Sequence, residues 1–186
     1  MTTTAVDFRT LTGTYSIDPA HSRFGFVARH AMVTKVRGQF NDFTGTATID
    51  GDDPANSSVQ VALEVASVDT RNAQRDGHLR TNDFFDAETY PQITFVSTGI
   101  VHEGGQDFVV TGDLTIKGVT KSISIPLEYQ GSATDPFGNV RIGFEGSTQI
   151  VRSEYGVTYN AALETGGVLV SDKVTLEFEI SAIKTA

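Results

Sequence analysis

Apolar and polar residues alternate along most of the chain. Val59, Val61, Leu63 and Val65 are separated by Gln60, Ala62 and Glu64, and Phe108, Val110, Gly112, Leu114 and Ile116 by Val109, Thr111, Asp113 and Thr115. The same period of two runs through Ile123, Ile125, Leu127 and Tyr129, through Val140, Ile142 and Phe144, and through Val174, Leu176, Phe178 and Ile180. That period puts successive side chains on opposite faces of a strand, so these segments are antiparallel strands with one face buried and one wet. Further strands fit residues 23–31, 36–49 and 93–102. Within 36–49 the phase is lost near residues 41–44, which predicts a bulge or bend.

Turn-forming clusters separate the strands: Gly51-Asp-Asp-Pro54, Glu103-Gly-Gly105, Lys117-Gly118 and Asp135-Pro-Phe-Gly138. Several connections are short enough to make successive strands hairpin neighbours. Residues 73–83 break the rhythm: they are polar, without alternation, and read as a short helix or ordered loop. Many long hairpins and almost no helix leave a sandwich or a closed barrel. The barrel is favoured, because an up-and-down meander of about eight strands removes its own edges by closing. The inward set mixes Phe and β-branched residues with small ones (Ala28, Gly112, Gly146). An eight-stranded barrel is just wide enough to be filled by side chains or to hold one slender ligand.

Composition narrows the partners. The chain has 186 residues, of which 39% are hydrophobic, enough for a core without a metal or disulfide staple. Its formal charge is −9, from 23 acidic and 14 basic residues, and the basic ones are scattered. A phosphate backbone needs a basic stripe, so nucleic acid is excluded as an expected partner, and so is insertion into a membrane. There is no cysteine, hence no disulfide and no thiolate chemistry. Residues 1–7 carry neither a basic n-region nor an apolar h-region, so a cytoplasmic location is expected.

Three polar clusters are candidates for chemistry. The first is Asp18-Pro-Ala-His21-Ser22 with His30, which shares strand parity with Phe24, Phe26 and Ala28 and is expected to face inward. It reads either as a core histidine satisfied by a carbonyl or carboxylate, or as the polar contact at the end of an apolar pocket. The second is Arg71 with Arg75-Asp-Gly-His78-Leu-Arg80. Here Asp76 and His78 suit a carboxylate–imidazole pair and the arginines suit an anion, against local salt bridges closing one barrel end. The third, Arg152-Ser-Glu154-Tyr-Gly156, reads best as an arginine neutralised by nearby acids in a turn. No close H-x-H or H-E-x-x-H spacing supports a metal, and no nucleophile elbow, phosphate loop or dinucleotide fingerprint occurs. Neither a catalytic nor a metal-ligating residue is assigned.

Together these stretches resemble the YceI-like family. The resemblance rests on Asp18-Pro-Ala-His21-Ser22, Phe24-Gly-Phe26-Val-Ala-Arg-His30 and Val36-Arg-Gly38-Gln-Phe40. It continues through Asp69-Thr-Arg-Asn72, Arg75-Asp-Gly-His78-Leu79, Asp83-Phe-Phe85, Tyr90-Pro-Gln-Ile93-Thr-Phe95 and Gly112-Asp-Leu-Thr-Ile-Lys-Gly118. Glu154 stands where the family usually has an aspartate. The resemblance implies an all-β, lipocalin-like, eight-stranded antiparallel barrel over residues 15–184, preceded by an extension over residues 1–14. It also implies an apolar tunnel for a polyisoprenoid chain, such as an isoprenoid quinone, or another long amphiphile. It implies a homodimer in several members, a periplasmic location in many, no required cofactor and no catalytic reaction common to the family. The residues expected at the ligand are His21, His30, Arg75 and His78 for the head group. Phe24, Phe26, Ala28, Phe40, Phe84, Phe95, Phe108, Val110, Phe144 and Phe178 are expected along the chain. The alternatives are an enzyme acting on a lipid or quinone through the His/Asp/Arg cluster, and a stress-associated interaction module with a packed core.

Overall fold

A computed structural model describes residues 5–186. Eleven strands form one antiparallel sheet: β1 (Gly13–Ile17), β2 (Arg23–His30), β3 (Thr34–Phe40), β4 (Phe43–Ile49), β5 (Ser58–Glu64), β6 (Val68–Asp69), β7 (Gln92–Gly104), β8 (Asp107–Ile116), β9 (Val119–Thr134), β10 (Val140–Val151) and β11 (Lys173–Lys184). The one α-helix among the described residues is α1 (Ala73–Leu79).

Eleven strands make eight walls. One edge of β11 pairs along its length with β10, and the other pairs first with β1 and then with β2. β1 and β2 are therefore two parts of one long interrupted strand. β3 and β4, which pair with β2 and β1 respectively, are two parts of the next, and β6 and β5, which pair with β3 and β4 respectively, are two parts of the third. The interruption between β1 and β2 is stitched to β11, since Asp18 N–H donates to Ser181 O (2.8 Å) and Ser181 N–H donates to Ser22 Oγ (2.9 Å). The walls follow in sequence order, and β1–β11 pairing closes the barrel.

The lost phase near residues 41–44 has a definite cause. Asn41 and Asp42 are inserted between β3 and β4, so Phe40 and Phe43, three apart, are both buried. The bend is held by Ser67, whose hydroxyl oxygen accepts from Asp42 N–H (3.0 Å) and whose carbonyl accepts from Asn41 N–H (3.2 Å). A pleat that places residues two apart on one face needs such a break to admit a spacing of three.

The interior divides into three levels. Phe8 and Leu11, on a short 3-10 turn (Phe8–Leu11), pack with Tyr15, Phe108, Tyr129, Ile142 and Phe144 at one end. Phe8 meets Phe108 and Tyr129 edge-on at centroid distances of 5.2 and 5.5 Å. Much of the expected N-terminal extension is thus a plug in the barrel; residues 1–4 of it lie outside the described residues. Ile17, Phe24, Phe43, Phe178 and Ile180 form the middle level. At the other end α1, the segment following it and the turn after β10 close over Phe40, Ile93, Leu114, Ile116, Ile150 and Val174. The 73–83 segment holds the expected helix, ended at Leu79. Asn72 caps it by accepting from Arg75 N–H at 2.9 Å, and Arg71 before it adopts a left-handed φ of 62°.

Candidate functional site: the barrel cavity

A cavity of ≈ 200 Å³ lies inside the barrel, between the aromatic plug and the α1 end. Residues from all eight walls line it, and these are mostly Phe, Val, Ile and Leu. At the plug end it stops near Leu127 and Ile180, whose cross-strand partners are Phe108 and Phe144. At the α1 end it is walled by Leu79, Phe84, Phe85, Tyr155 and Val157.

Two glycines shape its walls. A Cβ on Gly112 would sit 2.5 Å from Phe95 Cζ, and one on Gly38 would overlap the ring of Phe26. Both phenylalanines line the cavity, each lying flat across a backbone that carries no side chain. Gly146 is likewise closed off, by Pro126 and Leu127. Of the three small residues of the expected inward set, only Ala28 borders the cavity.

The expected chain contacts are largely brought together. Phe24, Phe26, Ala28, Phe40, Phe84, Phe95, Val110 and Phe178 line the cavity. Phe108 and Phe144 do not, because the 3-10 turn Phe8–Leu11 fills their end of the barrel and buries them against Phe8 and Tyr129.

The expected head-group contacts lie elsewhere. His30, placed inward by parity, is exposed: it is the last residue of β2, near the tip of the β2–β3 hairpin, where its backbone bridges Val170. His21 is exposed, with Nδ1 2.6 Å from Asp18 Oδ2. Asp76 and His78 do not pair. Asp76 is buried and accepts from Thr70 N–H (2.8 Å) and Thr70 Oγ (2.5 Å), while His78 Nε2 stands 2.8 Å from Asp83 Oδ2. Arg75 donates to Thr70 Oγ1 (2.8 Å) and to Thr70 O (2.7 Å). The second cluster therefore fastens α1 over the barrel end through hydrogen bonds to Thr70 rather than through salt bridges of its arginines. His78 touches the cavity wall only indirectly, edge-on to Phe84 at 5.1 Å. No group of three His, Asp or Glu residues arranged to hold a metal ion occurs among the described residues.

The third cluster supplies the cavity's polar element, which the sequence reading assigned otherwise. Arg152 is buried, at 7% exposure, and no carboxylate lies within 4 Å of it among the described residues. Its partners are three backbone carbonyls: Ser171 (Nε, 2.8 Å), Val157 (Nη1, 2.8 Å) and Val170 (Nη2, 3.3 Å). Glu154 is exposed, and the nearby Asp172 carboxylate accepts instead from Ser153 N–H and Ser153 Oγ. Burial pushes the Arg152 guanidinium below its ordinary pKa, and the charge of Asp172 opposes this. Tyr155, 1% exposed, lines the cavity beside it, and its hydroxyl has no hydrogen-bond partner among the described residues. A signal for Arg152 was present: it continues the inward parity of Ile142, Phe144 and Ile150.

Comparisons with known proteins agree with this architecture. Residues 15–182 match the YceI-like domain. A Photorhabdus laumondii protein named as a UPF0312 protein is 42% identical over 147 residues, 78% of this chain and 76% of that one. The crystal structure of Burkholderia cenocepacia BcnA superposes with a TM-score of 0.78 at 30% identity, covering 89% of this chain and 98% of that one. A domain from Saccharophagus degradans, described as polyisoprenoid-binding and implicated in plant cell wall breakdown, shares the fold with a TM-score of 0.70 at 20% identity. It covers 92% of this chain and 98% of that one.

Proposed function

The chain belongs to the YceI-like family, and from that premise we propose that it binds a polyisoprenoid chain, or a long amphiphile of similar build, inside the barrel and carries or stores it. The observation that carries the reading is the cavity, an apolar space whose polar side chains, among the described residues, are Thr94, Arg152 and Tyr155. Burying a methylene contributes roughly 0.8 kcal/mol, so each five-carbon isoprene unit supplies about 3–4 kcal/mol before the losses of ordering the chain. A few units suffice for tight binding. Discrimination is correspondingly weak, since one methylene more or less is worth only about 1–3 kcal/mol. The described polyisoprenoid-binding domain shares the fold alone, so the weight rests on the cavity rather than on that likeness.

A binding role is favoured over catalysis because His21, Asp76 and His78 are engaged in local pairs outside the cavity and His30 is exposed away from it. An isoprenoid quinone as the particular ligand, a homodimeric assembly and a cytoplasmic location are proposed with it.

The test is native mass spectrometry, with solvent extraction, on protein purified gently from its own cells. A stoichiometric isoprenoid or quinone mass is expected. A protein that carries none and takes up no added long-chain lipid refutes the reading and favours a filled barrel.

A further inference from the structure

Tyr155 lines the apolar cavity and carries a buried hydroxyl without a partner among the described residues, and a buried hydroxyl left unsatisfied is disfavoured relative to one that donates. Arg152, three residues earlier on the same 3-10 turn (Arg152–Tyr155), uses one N–H on each of Nε, Nη1 and Nη2 for backbone carbonyls. A guanidinium has five N–H groups, so one on each terminal nitrogen remains. The carbonyls fix the guanidinium plane without neutralising it.

We infer that Arg152 and Tyr155 form a head-group subsite that receives an acceptor oxygen of the bound lipid at the α1 end of the cavity. The subsite deepens the lipid-binding reading and rests on it. Its chemistry is set by the donors. Arginine offers only N–H groups, and burial and the neighbouring Glu154 hold the Tyr155 phenol protonated. A phosphate, carbonyl or other electron-rich oxygen fits, whereas a head group offering only donors does not. The hydrocarbon tail then runs from Tyr155 past Phe95 and Phe26 towards Leu127 and Ile180, where the aromatic plug ends the cavity. The ligand is oriented, with its polar end at the barrel end closed by α1.

The experiment compares three probes of similar chain length by competition in native mass spectrometry: geranylgeranyl phosphate, the ketone geranylgeranylacetone, and the hydrocarbon phytane. Wild-type protein is expected to prefer the phosphate and the ketone to phytane. Tyr155→Phe is expected to lose about 5–10-fold of that preference, to bind phytane as before, and to melt no lower than wild type without ligand. That last readout separates loss of a head-group contact from loss of structure. Arg152→Lys, which keeps the charge but not the fork, is expected to weaken the two oxygen-bearing probes by a larger factor than phytane. A larger loss for the phosphate than for the ketone in this variant assigns the subsite to anionic heads, and an equal loss assigns it to neutral acceptors as well. If wild-type protein binds all three probes and Tyr155→Phe ranks them as wild type does, the subsite is overturned while lipid binding stands. If wild-type protein binds none of them, the lipid reading falls and the subsite with it.

Discussion

Phe26 lies across Gly38, its partner in the β2–β3 register, so closely that a methyl group on Gly38 would overlap the ring. The same ring lines the cavity, so this one backbone contact fixes both the packing of the hairpin and the position of a wall. Gly38→Ala must move the ring, and overpacking of this kind costs about 1–3 kcal/mol. Chemical denaturation should show a loss in that range, and uptake of geranylgeranylacetone should fall because the displaced ring enters the channel. Unchanged stability would mean that Phe26 has another rotamer open to it.

Ala28 borders the cavity, whereas Gly112 and Gly146 are already covered by other side chains or backbone. Ala28→Trp should therefore fill the channel from β2 while the strand pairing with Val36 persists. The expected result is loss of lipid stoichiometry in native mass spectra with an unchanged far-ultraviolet circular dichroism spectrum. Full occupancy in this variant would move the ligand away from the β2 wall.

Arg152 holds the carbonyls of Ser171, Val157 and Val170, drawing the segment before β11 onto the turn after β10. Arg152→Met keeps the apolar stem and leaves the Val157 and Ser171 carbonyls without their donor, while the Val170 carbonyl still accepts from Asn160 Nδ2 (2.8 Å). At roughly 1–3 kcal/mol for each buried group left unsatisfied, the unfolding free energy should drop by about 2 kcal/mol or more. A loss under about 1 kcal/mol would show that water takes the place of the guanidinium.

Asp18 and Asp135 flank Arg141, at 2.6 Å from its Nη1 and 2.9 Å from its Nε. Burial alone would raise the Asp18 carboxyl, but hydrogen bonds from Arg141, His21 and Ala20 N–H outweigh it and hold the group below its ordinary range. Asp135 is held lower still, first by the Asn139 side chain and then, against a smaller desolvation effect, by Arg141 and backbone N–H groups. Folded-state values below the unfolded ones bring stability that is complete above about pH 4 and is lost as the pH falls through the folded values. Melting temperature should therefore decline below about pH 4, and the decline should be shallower in Arg141→Gln. An identical acid limb in that variant would place the acid sensitivity elsewhere.

The alternation of Val59–Val65, Phe108–Ile116 and Val174–Ile180 determined the strands, their inward faces and, with short turns between them, the meander that closes as a barrel. It determined these because the pleat has a period of two that local sequence displays directly. The slip between Phe40 and Phe43 was legible for the same reason. The parity rule failed at His30, since it assigns a side and not a height, and beyond the barrel rim the inner side faces water. Phe108 and Phe144 face inward as their parity required, yet at a level that the distant Phe8 and Leu11 have filled. Arg152 also followed parity, but its partners are carbonyls from residues 157, 170 and 171, which carry no mark in the sequence. Only the tertiary structure decided which inward residues share the cavity, because that depends on what the ends of the barrel bring in from far along the chain.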